Sequence, residues 1–239
     1  MSVKKHDIYS IFFEEGEVTE LRAFGLQGKG SWDGWARDIV FGYFNGGTQL
    51  EAAVKALEKH NPTSIYFVAN PVTPSLLARA NNRLIAYKDK VPLTKNREIV
   101  CFRWALIDLD PRRPTGIPSS NEERTAAYRL ALDIAVYVKN KGGKLNIFAS
   151  SGNGFHLWLK CDPSICLEPH DDEAIQRATA PIRNFLAHLG DRFSNDDVEV
   201  DAGTYKPVQL ARYYGTYNRK GDGTPDRPHR RSEIIKVRG

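Results

Sequence analysis

The sequence predicts an α+β fold: a split β-α-β sheet over residues 101–239, with an N-terminal α/β module over residues 1–100 packed against it. Three observations predict it. Between Cys101 and Asp201 the hydrophobic pattern runs strand, helix, strand, strand, helix, strand. Two short apolar runs flank Ser151-Gly152-Asn153-Gly154, which is a hairpin signature. Two strands end in carboxylates, Asp108 and Asp110 on one and Asp201 on the other.

In chain order, Thr48-Gln49-Leu50-Glu51 reads as a capping box opening a helix to about His60. Asn61-Pro62 stops it, because the residue before proline is pushed out of the helical region. Ser64 to Ala69 reads as a buried strand, and residues 75–86 as helical. Cys101 to Leu109 is the strand that carries the paired aspartates. Ser120-Asn121-Glu122-Glu123 offers a second capping box, and apolar positions 127, 130, 134 and 138 give one helical face that ends at Lys141-Gly142-Gly143. Leu145 to Ser150 and Phe155 to Lys160 are the hairpin strands. Asp171 to Leu189 is a helix ending before Gly190, and Val198-Glu199-Val200-Asp201 the last strand. This order is that of ferredoxin-like or RNA-recognition-type (RRM-like) sheets. The chain shows no internal repeat and no low-complexity linker.

Bulk properties narrow the class. A chain of 239 residues can bury a real core, and 41% hydrophobic with 26% charged residues is ordinary for a globular protein. No apolar run approaches the roughly 18 residues a membrane helix needs, and Met1 to Asp7 lacks a signal-peptide core. The three cysteines, Cys101, Cys161 and Cys166, form no disulfide framework, so a cytoplasmic setting without a membrane is expected. Cys161, Cys166 and His170 lack a fourth ligand at zinc spacing, and no zinc is expected. Gly25-Leu26-Gln27-Gly28-Lys29-Gly30-Ser31 fails as a phosphate loop, since Gly30 stands where Ser or Thr must follow the lysine. Trp32 and Trp35 read equally as core or as stacking platforms.

The net charge of +5 is unevenly spread: residues 206–239 hold nine Lys or Arg against three Asp or Glu. Tyr205, Tyr213, Tyr214 and Tyr217 are interleaved, a composition suited to phosphate contacts and base stacking. Arg227, Arg230 and Arg231 are the expected nucleic-acid contacts, with Arg79 and Arg83 marking an alternative path. A solubilising surface is the plainer reading.

Alternate strand residues share a face, so Asp108 and Asp110 point together while Leu109 points into the core. Side-by-side anions repel, and an oxygen-preferring divalent ion such as Mg²⁺ or Mn²⁺ holds them together. The plainer reading is a strand running into a polar turn at Pro111. In Ser151-Gly152-Asn153-Gly154-Phe155-His156, glycines let backbone amides approach a phosphate, and the hydroxyl and imidazole add donors. A tight turn with a structural histidine is the alternative. His156 shares its face with Trp158 and Lys160, opposite Phe155, Leu157 and Leu159. The strands carrying Asp108 and Asp201 are neighbours in such a sheet, so the three carboxylates can bracket one or two metal ions.

These stretches resemble a known family. Leu106-Ile107-Asp108-Leu109-Asp110, then Ser151 to His156, then Val200-Asp201 are similar to the three motifs of the archaeo-eukaryotic primase superfamily. More narrowly they resemble the primase-polymerases of phages, plasmids and bacterial mobile elements. Asp108 to Pro114, Ser150 to Leu157, Tyr214-Gly215-Thr216, Lys220-Gly221-Asp222 and Arg227-Pro228-His229-Arg230 add to it, with anchors from about Asn70 to Arg230. The resemblance implies that both modules form one primase-polymerase core. It implies that Asp108, Asp110 and Asp201 bind the catalytic Mg²⁺ or Mn²⁺ ions. Ser151 and His156, with Gly152, Asn153 and Gly154 of their loop, would contact the incoming nucleotide's phosphates, and Arg212 and Lys220 would join them. Lys206-Pro207-Val208-Gln209 departs from the Asn-Pro-Ala-Arg-like stretch of that family, so base and sugar contacts are not assigned there.

The expected activity is template-dependent nucleotidyl transfer that starts and extends primers on single-stranded DNA from dNTP or NTP. Helicase or zinc-bearing segments of such proteins would belong to a longer parent protein. A metal-dependent nuclease is the rival enzyme, and a catalytically silent nucleic-acid-binding module the rival binder. The Ser-Gly-Asn-Gly-Phe-His loop favours a triphosphate substrate over the nuclease, and the intact carboxylate set argues against the silent module.

Overall fold

The computed structural model describes residues 7–26, 39–87, 91–167 and 171–238. Residues 27–31 of the glycine-rich stretch, Trp32, Trp35 and His170 lie outside the described residues.

The N-terminal module comprises α1 (Ile8–Phe12), β1 (Thr19–Phe24), β2 (Ile39–Phe44), α2 (Gly47–Glu58), β3 (Ser64–Val68) and the short β4 (Ile85–Ala86). The second module comprises β5 (Cys101–Pro111), α3 (Asn121–Asn140), β6 (Ile147–Ser150), β7 (Phe155–Cys166), α4 (Asp172–Phe193) and β8 (Val198–Asp201). The chain then adds β9 (Leu210–Arg212), β10 (Tyr217–Asn218), β11 (Arg230–Arg231) and β12 (Glu233–Val237). Two five-stranded antiparallel sheets result, ordered β4-β2-β1-β3-β9 and β12-β6-β7-β5-β8. Within the second, β6-β7-β5-β8 with α3 and α4 as crossovers is the expected split β-α-β arrangement.

Alternation along β5 gives its sheet two buried faces. Ala105, Ile107 and Leu109, with Phe155 and Leu157, pack under Ala127, Leu130, Ala131, Ile134 and Val138 of α3 and Ile182, Leu186 and Leu189 of α4. Trp104, Leu106 and Trp158 face the other way, onto Phe12, Leu21, Leu50, Leu57 and Phe67 of the N-terminal module. Each fully buried large side chain contributes about 1.5–3 kcal/mol, so both faces are strongly held. Only at the end of β5, where Asp108 and Asp110 replace apolar residues, does the second face open.

The capping box at Ser120 forms as read: Ser120 Oγ accepts from Glu123 N–H at 3.2 Å, and Glu123 accepts from Ser120 N–H at 2.9 Å. Other expectations need correction. The box at Thr48 does not form, because α2 begins two residues earlier, at Gly47, with Gly46 as an N-cap lacking a side chain. Residues 75–86 are not one helix: Pro74–Arg79 is a 3₁₀ turn, and β4 follows. Asn82, with φ of 49°, breaks the periodicity between them. β7 continues to Cys166 because β5 lies alongside it to Cys101, which pairs with Cys166. α4 runs through Gly190 to Phe193, since buried Leu186 and Leu189 hold the helix against the sheet. The module boundary at residue 100 is also not clean. β9 returns to pair with β3 of the N-terminal sheet, so late sequence completes the early module.

Candidate active site

The acidic residues converge through register. Asp108 of β5 lies opposite His156 of β7 on one side and opposite Asp201 of β8 on the other. Directly opposed residues share a face, so His156, Asp108 and Asp201 make one cross-strand row. The next row pairs Asp110 with Glu199. Glu199 is a fourth carboxylate that the motif reading missed. The Val-Glu-Val-Asp alternation of β8, buried, exposed, buried, exposed, already placed it beside Asp201.

The row grades from interior to rim: the side chain of Asp108 is 27% exposed and that of Asp110 is 51% exposed. The Asp110 carboxyl is pushed above the usual carboxylate range, first by crowding against the protein and then by the Asp108 charge. Arg113, 3.7 Å away, and Lys220 oppose that shift, and solvent on its open side softens it. Lys220, Glu199, Arg112 and Asp110 share a cavity of about 240 Å³. Glu199 is paired with Arg112 at 3.4 Å.

The Ser151–Gly154 loop is seated against this strand end. A Cβ on Gly154 would lie 2.1 Å from the Leu109 carbonyl oxygen and 3.1 Å from Asp110 Oδ1, so only glycine permits the approach. Gly152 has φ of 96°, in the left-handed region. Much of the loop's donor capacity closes on itself. Ser151 N–H donates to Gly154 O at 3.0 Å, Gly154 N–H to Ser151 Oγ at 2.9 Å, and Gly152 N–H to Ser150 Oγ at 3.2 Å. These three amides therefore hold the turn. Asn153 differs: its Oδ1 accepts from Ser119 N–H at 3.0 Å, but its buried Nδ2 has no partner.

His156 is 5% exposed. Its Nδ1 lies 2.6 Å from the Tyr214 hydroxyl and its Nε2 lies 3.3 Å from Asp108 Oδ1. Despite that proximity, Asp108 Oδ1 has no hydrogen-bond partner.

The facing sheet supplies a cation. Arg212 on β9, 5% exposed, lies over the Tyr66 ring at 4.5 Å and donates from Nη2 to the Tyr66 hydroxyl at 3.0 Å. Its Nε and Nη1 are buried and make no hydrogen bond. Burial pushes the guanidinium below its ordinary value, while Tyr66, Asp108 and Asp110 oppose that. It is a buried cation facing the acidic row with two of its three nitrogens unused.

The basic C-terminal segment is arranged differently. Arg227 donates to both oxygens of Glu123 at 2.7 Å and to Pro118 O at 2.8 Å. Arg230 donates to Ser119 O and to Asn121 Oδ1, each at 2.7 Å. Arg231 bonds Gly215 O and lies 3.5 Å from Glu58. Arg79 is similarly held, by Glu98, by Pro92 O at 3.2 Å and by the Tyr43 hydroxyl at 3.3 Å. Arg83 is exposed ahead of β4. Tyr213 and Tyr214, expected as stacking platforms, are buried core residues, while Tyr217 is 39% exposed.

The carboxylates Asp108, Asp110 and Asp201 are hard oxygen donors that suit a divalent ion, and buried Asp108 Oδ1 is unsatisfied. Among the described residues, no three His, Cys, Asp or Glu side chains are drawn into a ready metal cage. Asp201 uses one oxygen to accept from Gly203 N–H at 2.7 Å. A larger cavity of about 420 Å³ lies elsewhere, between α2 and the segments 213–216 and 231–234. It holds none of the row, and chemistry rather than size places the site. Among the described residues no helix is long and apolar enough to cross a membrane.

No protein-family model matches the chain, and no curated protein matches it. Among solved structures, the chain is similar to the polymerase domain of Mycobacterium tuberculosis ligase D in complex with DNA. That likeness covers 90% of this chain and 74% of that one, at 12% identity and a TM-score of 0.44. At that level it says nothing about chemistry, which rests on the residues themselves.

Proposed function

We propose that the acidic row is the nucleotide and metal centre of a primase-polymerase, a nucleotidyltransferase that starts and extends primers on single-stranded DNA. The observation that carries this reading is the buried, half-unpartnered Arg212 on one sheet, facing Asp108 and Asp110 on the other. Carboxylates that would hold cations, beside a cation that would hold an anion, suit a metal–triphosphate pair. Asp108, Asp110 and Asp201 would hold Mg²⁺ or Mn²⁺, which when bound activates a hydroxyl and neutralises a leaving pyrophosphate.

The chain's own groups bind and orient. Arg212 offers Nε and Nη1 to phosphate oxygens from a site closed to water, where a charge-assisted bond is strong. Ser151 Oγ accepts from Gly154, which leaves its own proton free to be donated. Lys220 stands at the rim beside Asp110. Phosphoryl transfer needs mainly positioning and charge neutralisation, and two rigid sheets supply both. A nuclease would use the same carboxylates but has no need of a buried guanidinium and a donor loop for a triphosphate.

The test is incubation with single-stranded DNA, labelled nucleoside triphosphates and Mn²⁺. Extended or new labelled products are expected. Shortened DNA would replace this reading with a nuclease, and a mobility shift without chemistry would leave a binding module.

A further inference from the structure

The proton positions on His156 follow from its neighbours. The Tyr214 hydroxyl lies within hydrogen-bond distance of Trp158 Nε1, at 2.7 Å, and of His156 Nδ1, at 2.6 Å. Indole Nε1–H only donates, so it fills one lone pair of the tyrosine oxygen. Tyr214 is buried, and burial pushes its phenol well above the ordinary range, so the hydroxyl keeps its proton. A buried O–H requires an acceptor. Of its two partners only His156 Nδ1 can accept. Nδ1 is then unprotonated, and the ring proton resides on Nε2. The other side agrees: Nε2 lies 3.3 Å from Asp108 Oδ1, where an N–H is attracted and a bare lone pair repelled.

We propose that Tyr214 is a positioning residue that fixes His156 as the neutral tautomer with its proton on Nε2. The ring then presents a hydrogen-bond donor to the acidic face. In this form Nε2 cannot ligate a metal and cannot act as a base toward a hydroxyl. It suits an anionic oxygen, and its value as a triphosphate contact rests on the function proposed above. Trp158 Nε1–H fills one lone pair of the Tyr214 oxygen and cannot accept its proton, so it offers the hydroxyl no rival acceptor. The three side chains come from β7 and the turn after β9, so the two sheets jointly set the proton position. The sequence pattern hid this, because Tyr214 sits in a basic segment and reads there as a stacking residue.

The test is ¹⁵N NMR of the histidine rings in the whole protein at neutral pH, with His156 assigned by loss of its signals in His156→Gln. The expected pattern is an unprotonated Nδ1 and a protonated Nε2. Tyr214→Phe removes the hydrogen bond at Nδ1 and should move the Nδ1 shift to that of an unbonded, unprotonated ring nitrogen or toward averaging, whereas Trp158→Phe should leave it in place. Protonation at Nδ1 in the wild-type protein, on its own or with Nε2, would overturn the proposal. So would a pattern unchanged by Tyr214→Phe. If that variant does not fold, the wild-type spectrum still decides. Nucleotide affinity is measured separately, by titrating a non-hydrolysable triphosphate with Ca²⁺. An affinity unaffected by His156→Gln would defeat the phosphate role while leaving the tautomer result standing.

Discussion

The acidic face of β5 and β8 and the basic segment at residues 227–231 carry opposite charges, and the fold treats the two in opposite ways. On the acidic face charge is left unsatisfied: Asp108 Oδ1 has no hydrogen bond, Asp110 is pushed toward its neutral form, and Arg212 opposite has two idle nitrogens. In the basic segment Arg227 and Arg230 are held by Glu123, Asn121 and the carbonyls of Pro118 and Ser119. The segment with the larger charge excess is thus the structural one, and Arg212, buried with unpartnered nitrogens near the carboxylates, is the poised one. Counting charges along a chain locates basic surface. The unsatisfied groups Asp108 Oδ1 and Arg212 Nε and Nη1 mark the candidate site instead.

The largest expected effect lies on the acidic face. Asp108→Ala and Asp110→Ala should each reduce nucleotide incorporation by at least about a hundredfold, the scale typical of losing one preorganised charge-stabilising group. Circular dichroism should show the fold retained. Rates within tenfold of wild type in either variant would break the contrast between the two regions.

Much of this contrast was legible in the sequence, and the exceptions have physical causes. Period-two alternation placed Asp108 and Asp110 on one face, and the β-α-β-β-α-β order made β5 and β8 neighbours, as the Asp108–Asp201 register bears out. The same alternation puts Glu199 on the face of Asp201, but a mid-strand exposed glutamate has the pattern of an ordinary solvated residue. What local pattern cannot carry is long-range pairing. Three residues at 210–212 add an edge strand to a sheet formed some 150 positions earlier, and that return brings Arg212 to the site. Nor does residue type reveal that Tyr213 and Tyr214 are core, or which arginines are already bonded.

Stability should separate the two regions in sign. Arg227→Met removes the donors to Glu123 and Pro118 O, a pairing that holds that guanidinium above its ordinary value, and should lower Tm by a few degrees. Arg212→Met should act the other way. Burial outweighs the nearby carboxylates there, so the uncharged side chain should raise the Tm of the free protein. Thermal melts in EDTA measure both, and shifts of the same sign would contradict the distinction drawn here.

A smaller effect sharpens the acidic side. The folded-state pKa of Asp110 is raised, so its ionisation costs stability once pH exceeds that value, and the cost vanishes below the unfolded value near 3.8. Asp110→Asn should therefore gain about 0.5 kcal/mol at neutral pH without metal, a figure kept small because half the side chain is solvated. The gain should fade as pH drops through the raised pKa. A gain that persists in acid would point to packing rather than charge.

The most direct test of the central claim compares the two arginines in binding. A non-hydrolysable nucleoside triphosphate is titrated with Ca²⁺ into wild type, Arg212→Met and Arg230→Met. Arg212→Met should weaken affinity by roughly 1.5–3 kcal/mol, about ten- to a hundredfold, while Arg230→Met should match wild type. Equal affinities in all three proteins, or a loss confined to Arg230→Met, would contradict the account.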